Sequence, residues 1–451
     1  MESFLDGQVK FYNLYLDLAD AGVDWLAETT KACRRRQISP WVSVRMNDTH
    51  GIENQESHFN AAIFKKKEMR LSGVDPDPQI AHHSKWMALN YVKPEVREFM
   101  MSHIHEYLND YDFEGIELDW LETLIVWNRM LLSSSAMRSL TGLRDTVTDE
   151  SEGENQRQAF PHGMRIPGNL GYLKSRGLDV KTIVRRGLVD FLGFSNFWQT
   201  SWDMPYDELR RQLGSDVVFY GVVEDAPNWI SGYSPELAKR KVDPAAAPHP
   251  NGGLRYMAAS PEMQRANAAG KLVMGVHGIE QFNFFCADQP KIPGVRADYT
   301  VLRGTHDLEF LRGKPKHYCL STPSTWLSTL WELPEQLPVI LEPKARREFR
   351  LSMCSEPVGT KAVVQVVTEK GALTPRLGVS VNGRWATYES QPGQALLFPV
   401  GSFTEHMPGT IAWNFPVDAS EIRDGWNRFL VLNTAQSSTC KIVSIEIGLF
   451  S

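Results

Sequence analysis

The chain has 451 residues, 42% apolar and 23% charged, with a formal net charge of −6. That length holds two or three domains of ordinary globular composition. The acidic balance excludes the basic face a nucleic-acid binder needs, and five scattered cysteines without a CxxC exclude a disulfide framework or a zinc knuckle. No stretch approaches the roughly 20 apolar residues of a membrane span. The opening residues Met-Glu-Ser-Phe-Leu-Asp-Gly carry no signal peptide, so a cytoplasmic location is expected unless a leader has been removed.

In chain order, Asp24–Gln37 reads as a helix, preceded only by Val9–Leu16, so the first strand of the series is that short run or is missing. Strands follow at Trp41–Met46 and Trp86–Tyr91. Pro94–Asn109 is a helix, with Pro94 in its first turn and Val96, Phe99, Met100, His103, Ile104 and Leu108 on one side. Gly115–Trp120, Gly163–Pro167, Phe191–Trp198, Val217–Glu224 and Val273–Phe282 are the next strands, and Lys316–Leu320 is an eighth candidate. Helical stretches at Leu178–Arg186, Tyr206–Leu213 and Ser260–Ala269 lie between them. Alternating strand and helix predicts an α/β fold with a parallel sheet, a (β/α)8 TIM barrel over residues 1–332. Thr123–His162 forms a long polar insertion.

Leu333–Pro343 is proline-rich and reads as a linker. Beyond it, short apolar runs at Phe349–Met353, Ala362–Val367, Arg376–Asn382, Ala395–Pro399, Thr410–Phe415, Arg428–Leu432 and Cys440–Ile447 have few helical patterns between them. Asn382-Gly383 is a hairpin signal. Residues 344–451 therefore read as a jelly-roll-like antiparallel β-sandwich accessory domain.

The segment Gly115-Ile116-Glu117-Leu118-Asp119-Trp120 is the most informative. With period 2, Ile116 and Leu118 face one way, while Glu117 and Asp119 face the other. Two acids on a buried strand are costly unless paired or used. Asp119 sits at the C-terminal lip, where parallel barrels place their chemistry.

Other strands end in polar residues too: Asn47, Asp48 and His50; Arg165; Asn196 and Trp198; Glu224, Asp225 and Trp229; His277 and Glu280. Two carboxylates across a cleft can cleave a glycosidic bond, one ionised and the other held protonated. Asp119 and Glu224 are the catalytic candidates. The remaining lip residues and Glu117 are candidates for substrate binding, with Trp120, Trp198 and Trp229 available for stacking. HExxH and paired-cysteine spacings are absent, so neither a metal nor a cofactor is expected.

The run Lys93-Pro94-Glu95-Val96-Arg97 followed by Tyr111-Asp112-Phe113-Glu114-Gly115-Ile116-Glu117-Leu118-Asp119 resembles the bacterial glycoside-hydrolase-like TIM barrels. Arg45–His50 and Arg165-Ile166-Pro167 resemble segments of the same proteins. The strand also resembles the chitinase signature DxxDxDxE, but the place of its catalytic acid holds Leu121, which argues against a substrate-assisted mechanism. Similarity to retaining α-galactosidase-like barrels implies a nucleophile at Asp119. Their acid/base usually lies on strand six, which here offers no acid until Asp203, so Glu224 is preferred over Asp225 and Glu280. Gly425–Leu432 resembles a strand of the accessory β-domains of glycosidases. The expectation is a glycoside hydrolase acting on a poly- or oligosaccharide, of unassigned oligomeric state. A non-catalytic glycan-binding barrel and a metal-dependent hydrolase are the alternatives.

Overall fold

A computed structural model describes residues 13–48, 61–71, 88–121, 161–196, 200–224, 230–231, 254–255, 259–284, 298–321, 336–369, 371, 376–386 and 410–450. The chain divides into two compact units. One contains Met1–Gly193, Gln212–Val218 and Thr329–Glu332; the other contains Phe194–Arg211, Phe219–Ser328 and Leu333–Ser451.

In the first unit, helix α1 (Trp25–Arg35) starts at Asp24, whose carboxylate accepts from the N–H groups of Leu26 and Ala27. Strand β1 (Trp41–Arg45) follows. Helix α2 (Pro94–Asp110) opens on Pro94, where a missing N–H costs nothing, and buries Val96, Met100 and Ile104. Strands β2 (Gly115–Asp119) and β3 (His162–Ile166) are buried throughout. Helices α3 (Leu170–Ser175) and α4 (Val180–Arg185) are capped by Asn169 and Asp179 and lead to strand β4 (Phe191–Phe194). The sheet order is β1-β2-β3-β4. Pairing is parallel and in step, with Arg45, Asp119 and Arg165 level at the C-terminal end.

Alternation sorts the side chains by face. Val42, Val44, Ile116, Leu118 and Met164 are buried on one side. Ser43, Arg45, Glu117, Asp119 and Arg165 lie on the other. Lower on that second face the rings of Trp41 and Phe191 meet edge-on at 5.4 Å. A Cβ on Gly115 would lie 2.5 Å from the Trp41 ring, and one on Gly163 2.0 Å from Phe191. Glycine at these two places lets the rings lie across the strands.

The Val218 N–H, which begins strand β5, donates to Asp190 O in the same unit. In the second unit, apart from Gln212–Leu213 and Val218 at their ends, helix α5 (Tyr206–Leu213) precedes β5 (Val218–Glu224). Helix α6 (Pro261–Leu272), capped by Ser260, precedes strand β6 (Gly278–Phe282). β5 and β6 pair in parallel from Tyr220↔Gly278 to Glu224↔Phe282. α6 packs on β5 where Gly221 makes room for the stem of Lys271.

Six strands of the parallel series are found among the described residues, so the expected eightfold count is not met there. Residues 88–91 of the expected second strand carry an isolated antiparallel bridge, Arg70↔Leu89. The eighth candidate belongs to a different sheet. Strand β7 (Lys316–Ser321) pairs antiparallel with the last strand of the chain. Period-2 alternation looks the same in both settings, which is why the sequence pattern misassigned it.

Apart from a two-residue antiparallel pair, Ile230–Ser231 with Leu254–Arg255, the remaining strands are β8 (Val339–Leu341), β9 (Arg346–Met353), β10 (Lys361–Glu369), β11 (Leu377–Val381), β12 (Arg384–Trp385), β13 (Thr410–Asp418), β14 (Gly425–Asn433) and β15 (Cys440–Phe450). One antiparallel sheet runs β8-β15-β10-β13, with β7 also on β15; the other runs β9-β14-β11-β12. Phe349, Leu351, Val379, Phe429 and Val431 of one sheet share a core with Val364, Val366, Ile445 and Ile447 of the other. Asn382 and Gly383 turn the β11–β12 hairpin with φ of 49° and 95°, the positive values a two-residue turn requires. β8 falls within the stretch read as a linker. The expected strand Ala395–Pro399 and nearly all of the Thr123–His162 insertion lie outside the described residues. No helix among the described residues is long and apolar enough to cross a membrane.

Candidate functional site

The first unit gathers its polar side chains at the ends of β1, β2 and β3. Asp119 is 1% exposed and Arg165 is fully buried. Arg165 Nη2 donates to Asp119 Oδ2 at 2.5 Å, and the Leu121 N–H donates to Oδ1 at 2.9 Å. The carboxylate is thus oriented through both oxygens, and the guanidinium compensates its burial. One row deeper, Ser43 Oγ donates to Glu117 Oε1 at 2.7 Å. Arg45 pairs with Asp48 at 3.1 Å, with both side chains about one-third exposed. Glu117 therefore lies beneath Asp119 on the same face, as the strand's alternation predicts.

Two expected binding residues have structural partners. Asn47 is buried, and its side chain bonds the backbone of Leu89 in both directions. Trp120 is buried against Tyr91, with ring centroids 5.2 Å apart, so its face is not available for sugar stacking. The Tyr91 hydroxyl in turn donates to Met46 O. His50 lies outside the described residues.

In the second unit Glu224 ends β5 and is 1% exposed. Its Oε1 accepts from Asn283 Nδ2 at 2.9 Å. Thr200 Oγ1 holds the Glu224 backbone twice, accepting from its N–H and donating to its C=O. Glu280 shares this face one row down, level with Val222. Asn196 follows β4, and its C=O accepts from Ser195 Oγ. Trp198, Asp225 and Trp229 lie outside the described residues.

His277 is corrected. It precedes β6, and its backbone N–H and Nδ1 both bond Phe219 near the start of β5. That is the N-terminal end of the strands. The expected strand began at Val273, but α6 runs to Leu272 and a turn follows, so the strand starts five residues later.

The sequence reading passed over a cleft of about 300 Å³ lined by Asn196, Asp203, Gln336, Phe349 and Arg350. Gln336 Nε2 donates to Asp203 Oδ2 at 2.7 Å. Burial pushes the Asp203 carboxyl above the usual carboxylate range, against the opposing pull of Gln336 and Arg350. Next to it, Lys271 Nζ donates to Ser201 O and Oγ at 2.7 and 3.1 Å. Burial pulls this ammonium down to about 7, partly offset by Asp203. The signal was present as the acid following β4 in Ser201-Trp202-Asp203, but spacing alone does not tell that a loop acid is buried. The described residues gather metal-ligating side chains at one place, His317, Cys319 and Glu446 on β7 and β15.

No protein-family model matches the chain. It is 27% identical over 167 residues to the 1,4-alpha-glucan branching enzyme GlgB of Dechloromonas aromatica, a match covering 35% of this chain. The matched segment spans 26% of that enzyme's own length. An Anoxybacillus alpha-amylase aligns over 92% of this chain and 80% of its own, with 10% identity and a TM-score of 0.34. A noncanonic maltogenic alpha-amylase from Thermotoga neapolitana aligns over 93% and 80%, with 8% identity and a TM-score of 0.35. A beta-porphyranase from Bacteroides plebeius aligns over 30% and 20%, with 8% identity and a TM-score of 0.20.

Proposed function

We propose that the protein is a carbohydrate-active enzyme that cleaves a glycosidic bond with two carboxylates, Asp119 as the principal carboxylate and Glu224 as acid/base. The observation that carries this reading is Asp119 itself. It is a buried acid at the C-terminal end of a parallel strand, oriented by Arg165 and the Leu121 N–H. Buried, oriented acids at such lips are where barrel chemistry concentrates. In this reading Asp119 attacks or stabilises the anomeric carbon, and Glu224 gives its proton to the leaving oxygen. Glu117, Asp48, Arg165, Asn196 and Glu280 bind or position the sugar, with His50, Trp198, Asp225 and Trp229 in the same role.

An α-1,4-glucan is the first substrate to try, because the 167-residue match is to a 1,4-alpha-glucan branching enzyme. Both hydrolysis and transfer to a second glucan are to be measured. The expected result is turnover by the wild-type chain that falls at least about 10²-fold in Asp119→Asn and in Glu224→Gln. Wild-type rates retained in both variants would end the assignment. One observation favours a non-catalytic glycan-binding barrel: both Asp119 oxygens already have protein donors. Saturable binding of maltooligosaccharides without cleavage or transfer would select that reading.

A further inference from the structure

Strands β7, β15 and β10 lie side by side in the second unit, and one stretch of them carries an unusual set of side chains. Antiparallel register puts Cys319 opposite Glu446, and Glu446 opposite Gln365 on its other flank. His317, two residues before Cys319, shares its face. Its register partner is Gly448, which contributes no side chain beside it. His317, Cys319, Glu446 and Gln365 are all fully buried.

The donor atoms of His317, Cys319 and Glu446 all lie within 4.8 Å of one another. His317 Nε2 is 2.7 Å from Glu446 Oε2, and Ser444 Oγ is 3.3 Å from Oε1. Gln365 donates through Nε2 to Asn414 Oδ1 at 2.8 Å, while its buried Oε1 has no partner among the described residues. An acceptor left so deep is costly unless something electropositive meets it.

Charge points the same way. A fully buried carboxylate needs a cation. The nearby Lys316 is the neighbouring residue on the strand, and its ammonium is committed to Glu356 at 2.7 Å. Among the described residues Glu446 is met by the His317 imidazole, which is a cation only when protonated, and by the neutral Ser444 hydroxyl.

We propose that His317, Cys319 and Glu446, with Gln365 Oε1 as the fourth donor, form a closed site for one divalent zinc-like ion. Nitrogen, thiolate and oxygen donors together suit zinc. Tetrahedral zinc holds ligands at about 2.0–2.3 Å, which sets them roughly 3.3–3.8 Å apart, within small side-chain adjustments of the spacing here. On binding, the Cys319 thiol gives its proton to solvent and the thiolate takes the metal, while the His317–Glu446 hydrogen bond gives way to two metal bonds. Ser444 Oγ then orients the Glu446 carboxylate. Four protein donors and full burial make the ion structural. It clips β7 to β15 and β10, and it enters during folding rather than by exchange.

The test uses the full chain produced in zinc-supplemented medium, with metal measured by elemental analysis. About one zinc per chain is expected, as one closed site dictates. Cys319→Ser and Glu446→Gln are expected to lose it, while Cys354→Ser, on the same unit but outside the cluster, keeps it. Zinc at background in the wild type, or undiminished in a folded Cys319→Ser or Glu446→Gln chain, overturns the site. Should those variants fail to fold, the wild type refolded with Co²⁺ decides. A thiolate-to-cobalt charge-transfer band that survives Cys354→Ser supports the site, and its absence refutes it.

Discussion

Replacing Arg165 by Met isolates the contribution of the Asp119–Arg165 pair. Both side chains are at most 1% exposed, and they meet at 2.5 Å. Removing the guanidinium leaves the Asp119 carboxylate in the protein interior with the Leu121 N–H still bound to one oxygen. The cost of stranding one member of a buried pair is about 3–5 kcal/mol. Asp119→Asn keeps the shape and removes the carboxylate that Arg165 faces, with a cost of up to the same order. The double variant removes both charges, so its destabilisation falls short of the sum by ~2 kcal/mol or more. Urea unfolding followed by hydrogen exchange in β2 and β3 reads the cycle within the first unit. Single variants that each cost less than ~1 kcal/mol and simply add would refute the reasoning, because exposed pairs behave that way. The cycle also separates stability from chemistry. Asp119→Asn in the Arg165→Met background regains stability, and if Asp119 is the principal carboxylate it regains no turnover.

Two further outcomes are expected. Lys271 titrates at about 7 in the fold against 10.5 when free, so between those values the unfolded chain binds more protons. Stability therefore rises with pH through that window, by up to ~1.4 kcal/mol per unit, and the gain is absent below it. Lys271→Met flattens this rise in denaturant titrations at pH 7 and 9, and Ser201 O keeps Asn267 as donor; an unchanged slope would contradict the buried, depressed lysine. Gly163→Ala forces a methyl to 2.0 Å from the Phe191 ring and lowers stability by about 1–3 kcal/mol. Adding Phe191→Leu recovers part of that loss, whereas a neutral Gly163→Ala would show that the ring does not lie across β3.

What the sequence disclosed follows from periodicity, and what it concealed follows from its limits. The Gly115–Asp119 strand was readable because one face is apolar and the other holds two acids, and a one-residue error would have exchanged them. Arg165 could be named as a lip residue, yet its pairing with Asp119 depends on β3 lying in step beside β2, which no local pattern states. His277 was misplaced because Val273 and Met274 continue an apolar run that belongs to the end of α6 and its turn, not to a strand. Lys316–Leu320 was assigned to the wrong sheet because its partner, β15, lies more than a hundred residues away. The same remoteness hid the His317–Cys319–Glu446 cluster. Residues two apart on a helix diverge, so His103-Ile104-His105 within α2 does not present two donors to one side. On a strand residues two apart share a face, so His317-Tyr318-Cys319 already presents two donors to one side. The distant β15 and β10 then bring a carboxylate and an amide to the same place. Short metal-ligand spacings thus carry information only after the element that bears them has been assigned, and here the misassigned strand bears two of the three metal-ligating side chains gathered among the described residues.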